Sequence, residues 1–203
     1  MTLETLSKIF VVKYNGPFGF IKPWTAVRDG ETWSQQFLTP SIIKGIELKL
    51  FPELLNDINQ NPNPIKILRH RLTYESIDIQ QEQTQSKAFE IKKKEKIAFR
   101  NKSILSRGIL INPTLYLAFK EKEDAQIAST QHICLCRNED ILIPEEEILE
   151  LSVNDFENIN GFELIPGNDS ESFLVGFNRF NNASPMYGKL HIQGNPLKEE
   201  CLE

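Results

Sequence analysis

The sequence predicts an α+β fold built on an antiparallel sheet, within a single domain that spans residues 1–203. The first observation is a series of short runs rich in β-branched and aromatic residues, bounded by Gly, Pro and Asn, which is typical of short strands. The second is a segment after Thr39 that combines a helical period with helix-start residues. Because 40% of the residues are apolar, the chain can bury one sizeable core.

The N-terminal part is predicted to contain a strand followed by a long loop. Residues 8–14 form a β-branched and aromatic run that ends at the turn sequence of residues 15–17. Residues 18–38 contain two Gly, two Trp and Pro23 without a helical period, so we expect an irregular loop with room for one short strand. Long loops in compact domains are often functional.

A helix is predicted to begin after Thr39, with Thr39 as N-cap and Pro40 in the first turn. Five apolar residues are expected to face the core: Ile42, Ile43, Ile46, Leu48 and Leu50. Three charged residues are expected to face solvent: Lys44, Glu47 and Lys49. Residues 59–64 are rich in Asn and Pro and cannot continue the helix, because each Pro fixes φ and disfavours helix in the residue before it.

A basic hairpin is predicted within residues 66–107, with strands at 66–79 and 87–99 on either side of a polar, Gln-rich tract. The segment holds 11 basic and 5 acidic residues, whereas residues 108–203 hold 6 and 17. Screening confines each charged patch to about 8 Å at physiological ionic strength. The hairpin can therefore attract polyphosphate although the net charge of the chain is −5.

The C-terminal half is predicted to complete the sheet. Strands are expected at residues 108–119 and 131–135, and a short acidic helix at residues 144–151, where three Glu would occupy the first turn. Residues 152–203 combine Gly with aromatic residues, which favours a β-rich part of short strands and turns with a frayed tail after Pro196.

The order of motifs in the first 55 residues resembles a known family. The first strand is followed by the Gly-Pro-Phe turn of residues 16–18, a polar loop with Thr25 and Arg28, and a helix that starts with Pro-Ser at residues 40–41 and continues to Lys-Gly at residues 44–45. This order and spacing resemble the N-terminal signature of CRISPR-associated protein family 5, a member of the RAMP superfamily.

Two later segments are similar to elements of the same family. Residues 107–116, with Arg-Gly-Ile-Leu before Pro and Tyr, are similar to the strand that follows the family's thumb hairpin. FLVGFNRF at residues 173–180 looks like its leucine-glycine-basic-aromatic element.

The resemblance implies a ferredoxin-like RNA-recognition domain with an inserted basic β-hairpin thumb and a β-rich C-terminal part. It implies a non-catalytic subunit of a type I CRISPR surveillance complex (Cascade), which binds the single-stranded 5′ handle of crRNA for RNA-guided DNA recognition in antiviral defence. The implied partners are the crRNA, the backbone subunit (CRISPR-associated protein family 7), the large subunit (CRISPR-associated protein family 8) and, through the complex, target DNA. The acidic C-terminal segment would face a basic surface of the large subunit, or serve solubility.

Single-stranded RNA is held by basic groups along its phosphates and by aromatic rings that stack on its bases. We therefore predict that Lys22, Arg28 and Lys44 contact phosphate and that Trp24 stacks on a base. The remaining RNA-binding candidates are basic residues of the hairpin segment: Arg69, Arg71, Lys92, Lys93, Lys94, Lys96, Arg100 and Arg107. In the alternative interpretation both Trp are core residues, Lys44 is a solvated helix residue and the hairpin lysines protect an edge strand.

No catalytic residue is predicted from the resemblance. Relatives that cleave precursor RNA use a Tyr on the first helix and a Lys-His pair, but Pro40 stands where that Tyr would be, and none of the three His directly follows a Lys. His70, between Arg69 and Arg71, is the alternative, as general acid or base of a metal-independent endoribonuclease that processes precursor crRNA. A second alternative is a protein-interaction module that reuses the RAMP fold.

Neither a metal nor a cofactor is predicted. His132, Cys134 and Cys136 alternate, and alternate residues of a strand stand about 6.6 Å apart, too far to converge on one ion with bonds of about 2.0–2.3 Å. We expect Cys134 and Cys136 to be buried thiols. Nucleotide-binding, zinc-protease and acyl-transfer motifs are absent from the sequence. The odd number of Cys and the lack of an export signal or a long apolar run predict a cytoplasmic protein, with no membrane partner.

Overall fold

The structure, a computed structural model, describes residues 8–23, 30–57, 63–85, 89–92, 94, 97–178 and 181–197. The strands in chain order are β1 (Ile9–Asn15), β2 (Phe18–Gly19), β3 (Glu31–Trp33), β4 (Ile67–Thr73), β5 (Ser76–Gln85), β6 (Glu90–Lys92), β7 (Ile97–Phe99), β8 (Lys102–Ile111), β9 (Thr114–Phe119), β10 (Ile133–Cys134), β11 (Ile141–Leu151), β12 (Gly161–Pro166), β13 (Phe173–Asn178) and β14 (Ser184–Gln193). The helices are α1 (Pro40–Leu50), α2 (Lys122–Ser129) and α3 (Val153–Glu157), with a 3₁₀ helix at Pro52–Asp57. This composition confirms the predicted α+β class.

The larger sheet has eight strands in the order β10-β11-β1-β9-β4-β12-β14-β13, and neighbouring strands are antiparallel, as predicted. Its four central strands follow one another along the chain as β1-α1-β4-β9-α2-β11 and lie side by side as β11-β1-β9-β4. Both α1 and α2 contribute apolar side chains to the main core cluster on one face of this sheet. On the opposite face, α3 buries Phe156 against Ile9, Val11 and Ala118.

A second sheet extends from the first between β4 and β9. Strand β5 pairs with β8 from Ser76–Ile111 to Gln85–Lys102, and we call this hairpin, residues 76–111, the thumb hairpin. The short strands β6 and β7 pair with each other between its two arms. Strands β2 and β3 pair with the inner end of β8. The loop predicted at residues 18–38 is therefore fixed to the thumb hairpin at both ends, while its residues 24–29 lie outside the described residues.

A hairpin overlaps the segment that was predicted to form one, but its strands differ from those expected. The Gln-rich tract is not a turn, because it is paired with β8 as part of β5. The predicted strand at 66–79 is divided near Tyr74 into β4, in the large sheet, and β5, in the thumb hairpin. The predicted strand at 87–99 corresponds to β6 and β7.

The predicted acidic helix at residues 144–151 is wrong, because these residues belong to strand β11. Leu149 and Leu151 pair with Val11 and Ile9 of β1, so their apolar side chains are covered by the sheet and by α3. Cross-strand pairing and burial here outweigh the preference of acidic residues for a first helical turn. Helix α2 was not predicted, although its Ala125 and Ala128 pack into the main core.

Helix α1 begins as predicted, with Thr39 in the N-cap position and Pro40 in the first turn, but the hydroxyl of Thr39 makes no capping hydrogen bond. The prediction that Lys44 and Glu47 face solvent is wrong, since both are buried. Lys49 is exposed, as predicted. The buried side of the helix is thus wider than the positions of its apolar residues indicate, because it includes Lys44 and Glu47.

The C-terminal part is β-rich, as predicted. Strands β12, β13 and β14 extend the large sheet beyond β4. Helix α3 is capped by Ser152, whose side chain forms a capping box with Asp155. Of the tail predicted to fray, residues 198–203 lie outside the described residues. Among the described residues, the structure has no helix with the length and apolar character needed to cross a membrane.

Candidate nucleic-acid interface

The thumb hairpin carries exposed cations at its outer end. Lys94, Arg100 and Lys102 are exposed and form no ion pair with another described residue. The guanidinium of Arg100 lies 4.3 Å from the centre of the exposed Phe89 ring. Lys93 and Lys96 lie outside the described residues, as does the side chain of Lys92. The described part of this end can therefore offer both positive charge and an aromatic ring to an anionic polymer.

Trp33 lies on β8 at the inner end of the thumb hairpin. It is the neighbour of Gly108 in the parallel β3–β8 pair. A Cβ built on Gly108 would clash with Cδ2 and Cε3 of the indole, so the ring fits there because glycine has no side chain. The rest of Trp33 is open, since it is 49% exposed. A supported aromatic ring with an open side is suited to stacking on a base.

Trp33 shares its face of the hairpin with a lysine and two exposed isoleucines. Because alternate residues of a strand point to the same side, Lys102, Ile104 and Gly108 of β8 lie on one face, and Ile79 is paired with Gly108 across the strands. We call this surface the thumb face and define it by Trp33, Ile79, Lys102 and Ile104. Both isoleucines are exposed.

The opposite face of the thumb hairpin is occupied by an ion-pair network. Glu82 contacts Arg107, with 3.6 Å between Nε and Oε2, and also pairs with Arg137. The two guanidiniums lie 5.5 and 5.4 Å from the ring centre of Phe20, and Arg137 is held by the buried Asp140. Arg107, predicted to bind RNA, therefore anchors the hairpin to the β2 end of the loop.

The loop between β2 and β3 contributes Lys22 to the described surface. Its side chain is exposed and forms no ion pair within the part of the chain that the structure describes. Trp24 and Arg28, predicted to stack on a base and to bind phosphate, lie outside the described residues. On the other side of the loop, the carbonyl of Gly30 accepts a hydrogen bond from Ser106 N of β8 at 2.7 Å.

Lys44 is not part of a surface. It is 1% exposed, and its Nζ lies 2.9 Å from Oε2 of Glu47, which is itself fully buried. The other oxygen of Glu47 accepts hydrogen bonds from backbone N–H groups of Ile65, Lys66 and Ile67 at 2.8, 2.6 and 3.1 Å. The ammonium of Lys44 therefore neutralises the carboxylate that fixes the start of β4, and its contact with phosphate stays a prediction.

Arg69 and Arg71 are also paired within the protein. Arg69 donates to both oxygens of Glu163 at 2.7 Å and to Glu157 at 2.7 Å. Arg71 is fully buried and forms ion pairs with Glu157 and Glu163. Both guanidiniums face the ring of Phe156, at 5.4 and 5.2 Å from its centre. Two cations are thus matched by two anions within the protein, and RNA binding by Arg69 and Arg71 stays a prediction.

His70 belongs to β4 and is buried, with 6% exposure. Burial, followed by the charges of Arg71 and Arg69, lowers its pKa to about 3. A group that stays neutral at pH 7 cannot serve as a general acid, and it is a weak base. Its backbone N–H donates to Glu163 Oε1 at 3.2 Å.

The His132, Cys134 and Cys136 segment does not form a metal site. Within the described residues, no group of three metal-ligating side chains is close enough to hold an ion. The expectation that both thiols are buried is wrong, because Cys136 is exposed and Cys134 is half-buried. The strand there is only two residues long, so regular alternation does not continue to Cys136.

Sequence reasoning missed several residues that define the polar interior. Glu157 and Glu163 were not predicted, although they pair with Arg69 and Arg71, and neither was the exposed position of Trp33 on the thumb face. Alternating arginines on a strand are a signal that paired carboxylates are needed when the strand is central. Their partners are more than 80 residues away, so the sequence did not indicate which carboxylates they are.

No protein-family model matches this sequence, and no curated protein sequence matches it.

Proposed function

We propose that this protein binds single-stranded RNA through the thumb face and the neighbouring loop, as the subunit of a type I CRISPR surveillance complex that holds the 5′ handle of crRNA. The observation that carries the proposal is the combination of Trp33 and Lys102 on one open face of β8. Stacking on an aromatic ring and neutralisation of phosphate are the two interactions that single-stranded RNA sites need.

The sheet topology supports the same proposal. Counting the central strands along the chain, their spatial order is fourth, first, third, second, with one helix after the first strand and one after the third. This order supports the proposal that the domain is ferredoxin-like, the fold of RNA-recognition domains. The thumb hairpin is inserted between the second and third of these strands, as the resemblance to CRISPR-associated protein family 5 implies.

The charge distribution supports a division between RNA and protein partners. The hairpin segment is basic and the C-terminal segment acidic, so the thumb hairpin would contact crRNA and the backbone subunit while the acidic part would face the large subunit. Target DNA is then recognised through the complex, in the cytoplasm. A protein-interaction module without RNA would instead co-purify with protein only and be insensitive to salt.

RNA cleavage is the competing function, and we propose that the protein lacks it. A general acid is needed to protonate the leaving oxygen, and the low pKa of His70 keeps it unprotonated near pH 7. The neighbouring arginines are neutralised by Glu157 and Glu163, so they are not available to a developing phosphorane charge.

The experiment is incubation of the purified protein with labelled repeat-spacer RNA in EDTA, with binding measured by gel shift and cleavage on a denaturing gel from the same samples. The proposal predicts intact RNA that is retained at low salt and released as salt rises. Trp33→Ala with Lys102→Gln should weaken binding, whereas Lys49→Gln, an exposed lysine on α1, serves as the matched control. Cleaved RNA would support the endoribonuclease, and equal binding by both variants would contradict the thumb face.

A further inference from the structure

A cavity opens where two neighbouring strands of the large sheet diverge. Strands β4 and β12 share a single register pair, Leu72 with Phe162, and separate beyond it. The cavity has a volume of about 810 Å³ and reaches both faces of the sheet, since side chains from the α1 face and from the α3 face line it. The Glu163 carboxylate lies between the two sides, because it accepts hydrogen bonds from the His70 backbone N–H and from the Arg69 side chain. Each side is therefore a separate place for a ligand.

The side of the cavity that faces α1 has a mainly apolar wall. His70 pairs with Leu117, a member of the main core cluster, so the two side chains lie on the α1 face of the sheet. Leu164 follows two residues after Phe162, another member of this cluster, and therefore points to the same face, where it packs against Met186. Four buried apolar residues line this side, which we call the α1 side of the cavity: Ile43, Ile67, Leu164 and Met186.

One polar atom on the α1 side lacks a hydrogen-bond partner. Nε2 of His70 is buried and makes no hydrogen bond with any described residue, although the side chain of His70 lines the cavity. The residue as a whole is more than nine-tenths buried. A desolvated nitrogen without a partner is unfavourable, and a ligand that supplies the missing hydrogen bond removes this penalty. A hydroxyl group both donates and accepts, so it can bond Nε2 in either tautomer of a neutral imidazole.

The charges around the cavity favour a neutral ligand. Burial, followed by the charges of Arg71 and Arg69, lowers the pKa of His70 to about 3, so its imidazole is neutral near pH 7. The two arginines lie on the α3 face and are paired with Glu157 and Glu163. Among the described residues that line the α1 side, an anion would therefore meet no unpaired cation, and a cation would meet no unpaired carboxylate.

We propose that the α1 side of this cavity binds a neutral phenol-type molecule, whose ring lies against the apolar wall and whose hydroxyl group bonds Nε2 of His70. Thioether sulfur makes favourable contacts with aromatic rings, and Met186 places one on this wall. The cavity reaches the surface at Asn63 and Pro166, which are exposed. A small phenol and a tyrosine side chain of a partner protein present the same chemistry. The site does not depend on RNA binding and thus goes beyond the proposed function.

The methionine content of the chain provides a direct reporter for the test. The sequence has two methionines, Met1 and Met186, so labelling of their methyl groups with ¹³C gives one NMR signal from the cavity wall and one internal reference. The protein is titrated with p-cresol and with p-xylene, which carries a methyl group in place of the hydroxyl group. We expect p-cresol to shift the Met186 signal and to bind about 5- to 150-fold more tightly than p-xylene, the effect of one buried hydrogen bond.

Three variants test the role of the cavity. The preference for p-cresol should disappear in His70→Leu and persist in His132→Leu, the matched control, because His132 is exposed and does not line the cavity. Leu164→Phe, which partly fills the α1 side, should abolish binding of both probes. Far-UV and near-UV circular dichroism checks that each variant is folded. The proposal is overturned if neither probe shifts the Met186 signal, if both probes bind wild type equally, or if the preference persists in His70→Leu.

Titration with N-acetyltyrosinamide distinguishes the two sources of the phenol group. If this probe shifts the Met186 signal and loses affinity in His70→Leu, the cavity has room at its entrance for a peptide backbone, and the ligand is a tyrosine side chain of a partner protein. If p-cresol binds and N-acetyltyrosinamide does not, the ligand is a small phenol. Because no arm of this test uses RNA, its failure would overturn the phenol site and leave the proposed function standing.

Discussion

Removal of the Glu47 side chain is expected to cause a large loss of stability. Glu47 is fully buried and serves two structural purposes: its Oε2 neutralises the buried ammonium of Lys44 at 2.9 Å, and its Oε1 accepts the three N–H groups that lead into β4. Glu47→Ala leaves a buried cation without an anion and removes the acceptor that fixes the start of this strand.

The magnitude follows from these contacts. Removing one partner of a buried ion pair costs about 3–5 kcal/mol. Only part of the separate penalty for three unsatisfied N–H groups, about 1–3 kcal/mol each, is added, because two of them are half-buried and water can replace the carboxylate. We therefore expect a decrease in the free energy of unfolding of about 4 kcal/mol. Lys44→Met should cost less, because the carboxylate keeps its three backbone donors.

Urea denaturation at pH 7, followed by circular dichroism, measures this difference. With a denaturant slope of about 2 kcal/mol per molar, Glu47→Ala should lower the midpoint by about 2 M. Lys49→Ala is the matched control, since it removes an exposed lysine from the same helix and should change the midpoint little. A decrease in the free energy of unfolding of less than about 1 kcal/mol for Glu47→Ala would refute the reasoning. Removing a buried carboxylate that binds an ammonium and three backbone N–H groups should cost more than this.

Three further predictions concern the thumb face and the buried histidine. Trp33→Ala should weaken binding of single-stranded RNA by about 1–3 kcal/mol. Gly108→Val should weaken it by the same amount without loss of the fold, because the new side chain displaces the indole. Fluorescence anisotropy measures both affinities, and an unchanged affinity in either variant would argue against stacking. Arg100→Gln with Lys102→Gln should reduce the slope of log affinity against log salt by about 1.4 if each residue contacts a phosphate; an unchanged slope would exclude both contacts. The free energy of unfolding should fall as pH decreases from 6.5 to about 3, because the unfolded chain binds a proton that folded His70 does not. His70→Leu should make this fall shallower by up to about 1.4 kcal/mol per pH unit, and parallel curves would contradict the buried neutral state.

The features that the sequence predicted well depend on local signals. Strand β1 and the start of α1 follow from a β-branched run and from Thr39-Pro40, and both lie where expected. A hairpin within residues 66–107 was predicted from two strand-like runs around a Gln-rich tract, and a hairpin overlaps this segment. Its arms were not predicted, because the Gln-rich tract becomes a strand only through pairing with β8.

The features that were missed depend on contacts between distant parts of the chain. Residues 144–151 satisfy the rules for a helix start, yet pairing with β1 makes them a strand. The helical period predicted that Lys44 faces solvent. Lys44 is buried because residues 65–67 pack over this side of the helix and donate backbone hydrogen bonds to Glu47. Charged residues in the interior are thus the part of the site that a single sequence specifies least.

The measurement that tests RNA binding most directly is photo-crosslinking of the protein to repeat-spacer RNA that carries 4-thiouridine in the 5′ handle, followed by mass spectrometry of the crosslinked peptides. We expect crosslinks to peptides from residues 22–33 and 89–108, which include Lys22, Trp33 and the thumb hairpin, and fewer of them in the Trp33→Ala variant. Crosslinks confined to the acidic residues 139–171, or none at all under conditions of tight complex formation, would contradict the thumb face as the RNA-binding surface.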